Sequence, residues 1–365
     1  MKLEVVKEKL QAVIGGVERI PLKSPTHPIL ATLFLSAKRG ALLARATNLE
    51  LGVEYSLPVR VEREGEAVVP AAAFAGFIAN LPNIKSVFLE ASSGKLTVTA
   101  GGARATFTTL AADDFPTIPK AEGVSFSLSS ELFAQGFRSV HYAAALGNLK
   151  PELSSVYLFH EGDELMFVAT DSFRLAEKRA LLKKPPAFPP VLVPVKNVAE
   201  IIRLLDREDG EVRVFVGKGC LSLQGERLSL TTRLVEGAYP DYQQIIPKEF
   251  AAEAVALREE ALSALRLVTP FSDRFNQMRM HLEPKNKRFE FSVRNGEVGE
   301  SVVALAAALS GEELGSNFNY RYISDCLSAL RADSVSFSWS GENRPLLIRG
   351  VGDRSFRYLV MPMNR

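Results

Sequence analysis

Few residues in this chain have both the type and the spacing that chemistry requires. Asp113-Asp114 is a vicinal carboxylate pair, the kind of feature that can hold a divalent cation or share a proton. Adjacent side chains rarely converge, however, and the corresponding Gly237-Ala238, also followed by an aromatic-proline step, carries no acid. The pair therefore reads as a solvated turn. Two cysteines, Cys220 and Cys326, and four histidines, His27, His141, His160 and His281, are too few and too dispersed for a zinc quartet. Gly217-Lys218-Gly219 and Ala100-Gly101-Gly102-Ala103 match neither phosphate-binding fingerprint and read as hairpin connections. No Gly-x-Ser-x-Gly elbow exists, and neither cysteine has a histidine nearby in sequence. The expectation is a chain with no cofactor, no metal and no catalytic nucleophile.

A binding surface is the better prospect. In Thr170-Asp171-Ser172-Phe173-Arg174-Leu175 a bulky aromatic stands beside an arginine just after an Asx turn, which suits a peptide-recognition pocket. An ordinary surface hairpin is the competing reading. The run Met361-Pro362-Met363 offers a soft apolar lip able to adapt to a partner, or simply a frayed last strand.

The elements that must position these residues come in three copies. Leu10, Leu132 and Leu262 open three similar amphipathic helices, 122 and 130 residues apart. A second helix follows Pro70, Pro194 and Tyr320, spaced by 124 and 126. Asn48, Asp171 and Asn295 recur at 123 and 124, and Phe115-Pro116 matches Tyr239-Pro240 at 124. Copies at about 1–121, 122–250 and 251–365 follow. Alternating segments such as Val212 to Val216 and Leu228 to Thr231 read as strands. The class is α+β, with antiparallel sheet predominating and two helices per copy.

The 365 residues are 47% hydrophobic and 24% charged, with a formal charge of +2, which excludes a grossly basic nucleic-acid coat or an acidic tail. Basic residues nevertheless lie on or near the repeated helices, among them Lys9, Arg138, Arg203, Arg207, Arg266 and Arg331. Helices facing one cavity would make a basic wall with an acidic exterior; solvated helix faces are the plainer alternative. The charged start and the lack of a long apolar run lead to the expectation of a soluble cytoplasmic protein that does not engage a membrane.

Several of these stretches together resemble the bacterial sliding clamp family, the beta subunit of DNA polymerase III. They are Ser24-Pro25-Thr26-His27-Pro28-Ile29-Leu30, Thr47-Asn48-Leu49-Glu50, Val168-Ala169-Thr170-Asp171 with Arg174-Leu175, Glu236-Gly237 with Tyr239-Pro240-Asp241-Tyr242, and Val360-Met361-Pro362-Met363. The resemblance spans the whole chain in the expected order. It implies three tandem clamp domains, with antiparallel sheets outside and helices inside. Two chains would close head to tail into a six-domain ring around duplex DNA, with no reaction catalysed.

The resemblance also implies site residues. A partner-peptide pocket between the second and third domains would comprise Leu153, Thr170, Ser172, Phe173, Arg174, Leu175, Pro240, Gln244, Ile245, Phe275, Asn319, Tyr322, Leu359, Met361, Pro362 and Met363. Duplex DNA would be met, without sequence preference, by Lys23, Ser24, Gly147, Asn148 and Lys150. The homodimer contact would join Arg104, Ala105 and Phe107 to Thr269, Pro270, Phe271, Glu297 and Glu300. The partners implied are the replicative polymerase alpha subunit, the clamp loader, and other polymerases and repair proteins with short hydrophobic motifs. Ser172-Phe173 stands where the family often has Gly-His or Gly-Tyr, and Gln244 where an arginine is common. A hydrolase built on a triplicated sheet scaffold is the alternative, and it would need a convergent polar cluster with perturbed ionisation in a deep cleft.

Overall fold

A computed structural model describes residues 1–22, 26–147, 149–182 and 185–363. The chain divides into two compact units, one of residues 1–131 with 199–234, the other of 132–198 with 235–365. Six α-helices occur among the described residues: α1 (Lys7–Val17), α2 (Ala71–Ala79), α3 (Ser130–Val140), α4 (Val195–Leu205), α5 (Arg258–Val268) and α6 (Tyr320–Ala329). Each of the three repeats supplies a pair, each directly following a strand, as the spacing of Leu10, Leu132 and Leu262 requires.

The first unit holds two antiparallel sheets. One has five strands, in the order Arg60–Arg63, Lys2–Val6, Ser86–Ser92, Lys95–Ala100, Ala103–Thr108. The other has eight, and its middle is a seam between repeats, where Leu228–Arg233 pairs with Leu51–Pro58 and Leu230 faces Val53. The second unit repeats this scheme. Its nine-stranded sheet has a seam where Arg174–Leu181 pairs with Phe356–Val360 and Leu175 faces Leu359. Its four-stranded sheet runs Gly299–Ala304, Arg288–Asn295, Gln277–Glu283, Leu314–Asn319.

Ala103–Thr108 and Gly299–Ala304 are among the strands at the sheet edges. The first is the repeat counterpart of Leu228–Arg233. The bond from Thr109 N to Gly94 O matches that from Leu234 N to Gly219 O, each 3.0 Å. That match runs at 125 residues, so the second repeat has one residue fewer than the first before the Phe/Tyr-Pro step, which recurs at 124.

The cores explain the periodicities. On α1 the residues Leu10, Val13, Ile14 and Val17 are buried, while Glu8, Lys9 and Ala12 face outward. In the second unit Phe133 and Phe137 of α3 meet Phe167 at ring distances of 5.6 and 5.2 Å, all three fully buried. Gly136 permits this approach, because a Cβ there would lie 2.4 Å from the Phe167 ring. The expected hairpins form: Gly101, between the paired Ala100 and Ala103, has positive φ, and Gly219 closes the turn after Val216.

Candidate functional site

The site grows from one turn and the seam beside it. Thr170 ends a strand, and its Oγ1 donates to Arg174 O at 2.6 Å while accepting from Ser172 N at 3.1 Å. Asp171 Oδ1 accepts from Phe173 N and Arg174 N at 2.9 and 3.0 Å. These bonds hold Ser172 at φ 78°, a left-handed conformation that a short polar residue tolerates. The chain's last strand then docks on the turn, with Met361 N donating to Phe173 O at 2.8 Å.

Arg174 is pinned on three sides. Its Nε lies 2.9 Å from Asp171 Oδ2, its Nη1 lies 2.6 Å from Asp325 Oδ2 on α6, and its guanidinium stacks 4.3 Å above the Tyr322 ring. Behind it, burial pushes the Tyr142 and Tyr358 hydroxyls and the Cys326 thiol well above their ordinary values. These groups stay neutral, and Cys326 is a core residue rather than a nucleophile.

In front of this frame opens a cavity of about 150 Å³ with mainly apolar walls. Leu175 and Leu359 form its floor and belong to a core cluster with Val168, Tyr242 and Leu347. Of the residues expected in a peptide pocket, Thr170, Ser172, Arg174, Leu175, Pro240, Ile245, Leu359 and Met361 line it together. Asp241 and Tyr242 also line it and were not in the expected set, although both follow Pro240 in the repeated aromatic-proline segment. Ile245 is 48% and Met361 38% exposed, so the rim presents apolar surface to solvent.

The other expected pocket residues are not on the cavity wall. Phe173, 62% exposed, carries the carbonyl that holds Met361. Tyr322 lies beneath Arg174, and Gln244 donates to Asp241 Oδ2 at 2.6 Å. Asn319 caps α6 by accepting from Arg321 N at 3.0 Å. Phe275 is exposed with Arg274 stacked on it at 4.8 Å, and Met363 N donates to Asn317 O. Pro362 is half-buried between the two methionines, and Leu153 is buried, with its carbonyl accepting from Ala145 N.

Of the expected DNA contacts, Lys23, Ser24 and Asn148 lie outside the described residues. Gly147 has φ 102°, its carbonyl accepts from Ser154 Oγ at 2.5 Å, and Lys150 is exposed. The helix arginines do not all face solvent. Arg203 of α4 donates to Gly15 O and Gly16 O of α1 at 2.9 and 2.8 Å and pairs with Glu200, while Arg207 reaches Ala12 O. Arg203 thereby binds two free carbonyls at the end of α1. Lys9, Arg266 and Arg331 are exposed.

The expected dimer residues fall on or near the edge strands Ala103–Thr108 and Gly299–Ala304. Arg104 is exposed, Ala105 is half-buried, and Phe107 packs on Phe74 and Phe77 at 5.6 and 6.0 Å. Thr269, Pro270 and Phe271 form the turn after α5, and Glu297 and Glu300 are exposed beside it. Asn295 Oδ1 accepts from Glu297 N at 3.0 Å, so the Asx turn recurs in the third repeat. Among the described residues no group of three acids, histidines or cysteines is placed to hold a metal, and Asp113 and Asp114 are exposed. No helix is long and apolar enough to cross a membrane among these residues.

Comparison with known proteins gives this geometry its family. Residues 1–119, 127–241 and 243–364 match the N-terminal, central and C-terminal domains of the DNA polymerase III beta subunit in turn. The beta sliding clamp of Synechococcus elongatus is 30% identical over 100% of this chain and 99% of its own. That of Escherichia coli is 27% identical over the full length of both. A Pseudomonas aeruginosa sliding clamp solved bound to griselimycin superimposes with a TM-score of 0.95 at 26% identity, covering 100% of each chain. Three clamp domains in order, full-length coverage and a shared fold leave one conclusion: the chain belongs to the family of DNA polymerase III beta subunits, the bacterial sliding clamps.

Proposed function

We propose that the chain acts in the cytoplasm as a homodimeric ring of six domains, repeats 1–121, 122–250 and 251–365 from each copy, closed around duplex DNA. Membership of the family makes it a non-catalytic processivity factor of DNA polymerase III. The hydrolase alternative gains no support from any relative.

One observation carries the ring. Two seams within the chain are built alike, each from a repeat's last strand laid against the preceding repeat's fourth strand: Leu228–Arg233 on Leu51–Pro58, and Phe356–Val360 on Arg174–Leu181. The remaining last strand, Ala103–Thr108, and the remaining acceptor, Gly299–Ala304, are both sheet edges. Exposed Arg104 on one and Glu297 and Glu300 beside the other are of opposite sign. Head-to-tail pairing of two copies would satisfy both of these edges, twice per ring. A ring holds DNA by topology, so contacts from Lys23, Ser24, Gly147, Asn148 and Lys150 can stay weak and mobile.

The cavity of the second unit receives short apolar peptide segments of the polymerase alpha subunit, the clamp loader, and other polymerases and repair proteins. Its leucine floor and flexible methionine lip supply desolvated contact area, the main source of affinity in such anchors. Tethering then raises the polymerase's effective concentration at its template without new contacts at the active site. Light scattering tests the assembly: twice the chain mass at micromolar concentration is expected, and a clean monomer there overturns it.

A further inference from the structure

The turn that frames the second unit's pocket occurs again, complete, in the first unit. Thr47 Oγ1 donates to Leu51 O at 3.1 Å and accepts from Leu49 N at 3.0 Å, as Thr170 does with Arg174 and Ser172. Asn48 Oδ1 accepts from Glu50 N and Leu51 N at 3.0 and 2.7 Å, in the manner of Asp171. Leu49 takes φ 71° where Ser172 takes 78°, although a branched side chain gains nothing from that conformation. The neighbouring strand docks identically: Arg233 N to Glu50 O and Met361 N to Phe173 O are both 2.8 Å. Phe115-Pro116-Thr117-Ile118 covers the first turn as Tyr239-Pro240-Asp241-Tyr242 covers the second. Between these parts lies a cavity of about 90 Å³.

Its chemistry is different. Leu175, Leu359 and Met361 of the second unit are replaced by Gly52, Thr231 and Arg233. A Cβ on Gly52 would fall 2.7 Å from Ile118, so the chain's own isoleucine occupies that part of the apolar floor. What is left is polar. Thr231 Oγ1 lies 2.9 Å from Ser222 Oγ, the Cys220 thiol is half-buried, and the Arg233 guanidinium is exposed with no ion pair among the described residues. An apolar anchor would gain little there, whereas a carboxylate would gain a charge-assisted, two-pronged bond to the guanidinium. Glu50, the other charged group on the wall, disfavours a cluster of acids and leaves room for a single carboxylate.

We infer that this cavity is a second docking site, which takes a short segment of a partner protein carrying one acidic side chain. The class of ligand rests on the peptide reading of the second unit's pocket; the site itself rests on the first unit's geometry. Cys220 reports on it directly, because the other cysteine, Cys326, is fully buried.

The probe is a capped Ala-Pro-Asp-Ala-Ala peptide, with its Asp→Asn analogue and inorganic phosphate as controls, against the rate of Cys220 alkylation by iodoacetamide in the full-length protein. At about 10 mM, tenfold above a Kd of about 1 mM, the Asp peptide should slow alkylation several-fold. The Asn analogue and phosphate should not. Arg233→Met, which keeps the backbone bond to Glu50, should remove the protection, and Glu50→Gln should strengthen it. Equal protection by the Asp and Asn peptides, protection that survives Arg233→Met, or equal protection by phosphate would each overturn the inference. If apolar peptides instead ignore Leu359→Ala, the reading of the second unit fails while the Cys220 result stands.

Discussion

Arg174 and Asp325 stand 2.6 Å apart, the one on a strand of the second repeat and the other on a helix of the third. The arginine side chain is only 10% exposed, and Asp171 and Tyr322 complete its surroundings. Arg174→Ala would leave Asp171 Oδ2 without its arginine partner and open a gap above Tyr322. It should lower unfolding stability by about 2 kcal/mol, the range for a charged hydrogen bond that leaves its partner unsatisfied. Asp325 is more exposed, so Asp325→Asn should cost under about 1 kcal/mol. Denaturant titration of the two variants checks both the order and the gap between them.

The pocket floor should matter more than its rim. Leu359→Ala removes apolar area where an anchor would be desolvated, and should weaken an apolar partner peptide roughly tenfold or more, the scale of a lost buried side chain. Phe173→Ala, on the exposed rim, should weaken it less. Loss of residues 361–365 removes the Met361 contact and should also reduce affinity, while the mass of the assembly stays unchanged. Fluorescence anisotropy of a labelled peptide gives the ranking, and equal effects of Leu359→Ala and Phe173→Ala would contradict the cavity as the docking point.

Asp353 provides a pH signature. Burial alone would raise its carboxyl, but hydrogen bonds from the Ser355 side chain and backbone, together with Lys178, outweigh burial and hold it below its ordinary value. A depressed carboxyl stabilises the fold at pH values above its unfolded pKa, and that contribution disappears as pH falls through the lower folded value. The gap in melting temperature between the native protein and Asp353→Asn should therefore be full at neutral pH. It should close below about pH 4, near the ordinary aspartate pKa. A gap that stays constant into acid would show that the carboxylate charge contributes nothing.

Much of this arrangement can be read from the sequence because it repeats. The helices beginning near Leu10, Leu132 and Leu262 carry their own periodicity, and the Asx turns at Asn48 and Asp171 are made by residues within four positions of each other. The seams cannot be read that way: Leu230 meets Val53 across a long separation that no local pattern encodes. Charge was similarly ambiguous. Arg203 and Arg207 look like part of a basic face, yet Arg203 spends its donors on α1 carbonyls, which only the packing of two helices determines. Asp241 and Tyr242 were missed as pocket residues because their role depends on how the segment after Pro240 folds back over Leu175 and Leu359. The second cavity is hidden in the sequence for a related reason: Thr47-Asn48-Leu49-Glu50 reads as a turn, but Arg233 reaches it only through strand pairing.

Retention on circular against linear duplex tests most directly whether two copies enclose DNA. The protein is loaded onto a nicked circle, the circle is cut once, and bound protein is followed by gel filtration. The ring predicts stable retention on the circle and rapid loss after linearisation, with little dependence on sequence. Equal retention on both forms would contradict it, because binding would then rest on contacts rather than on topology.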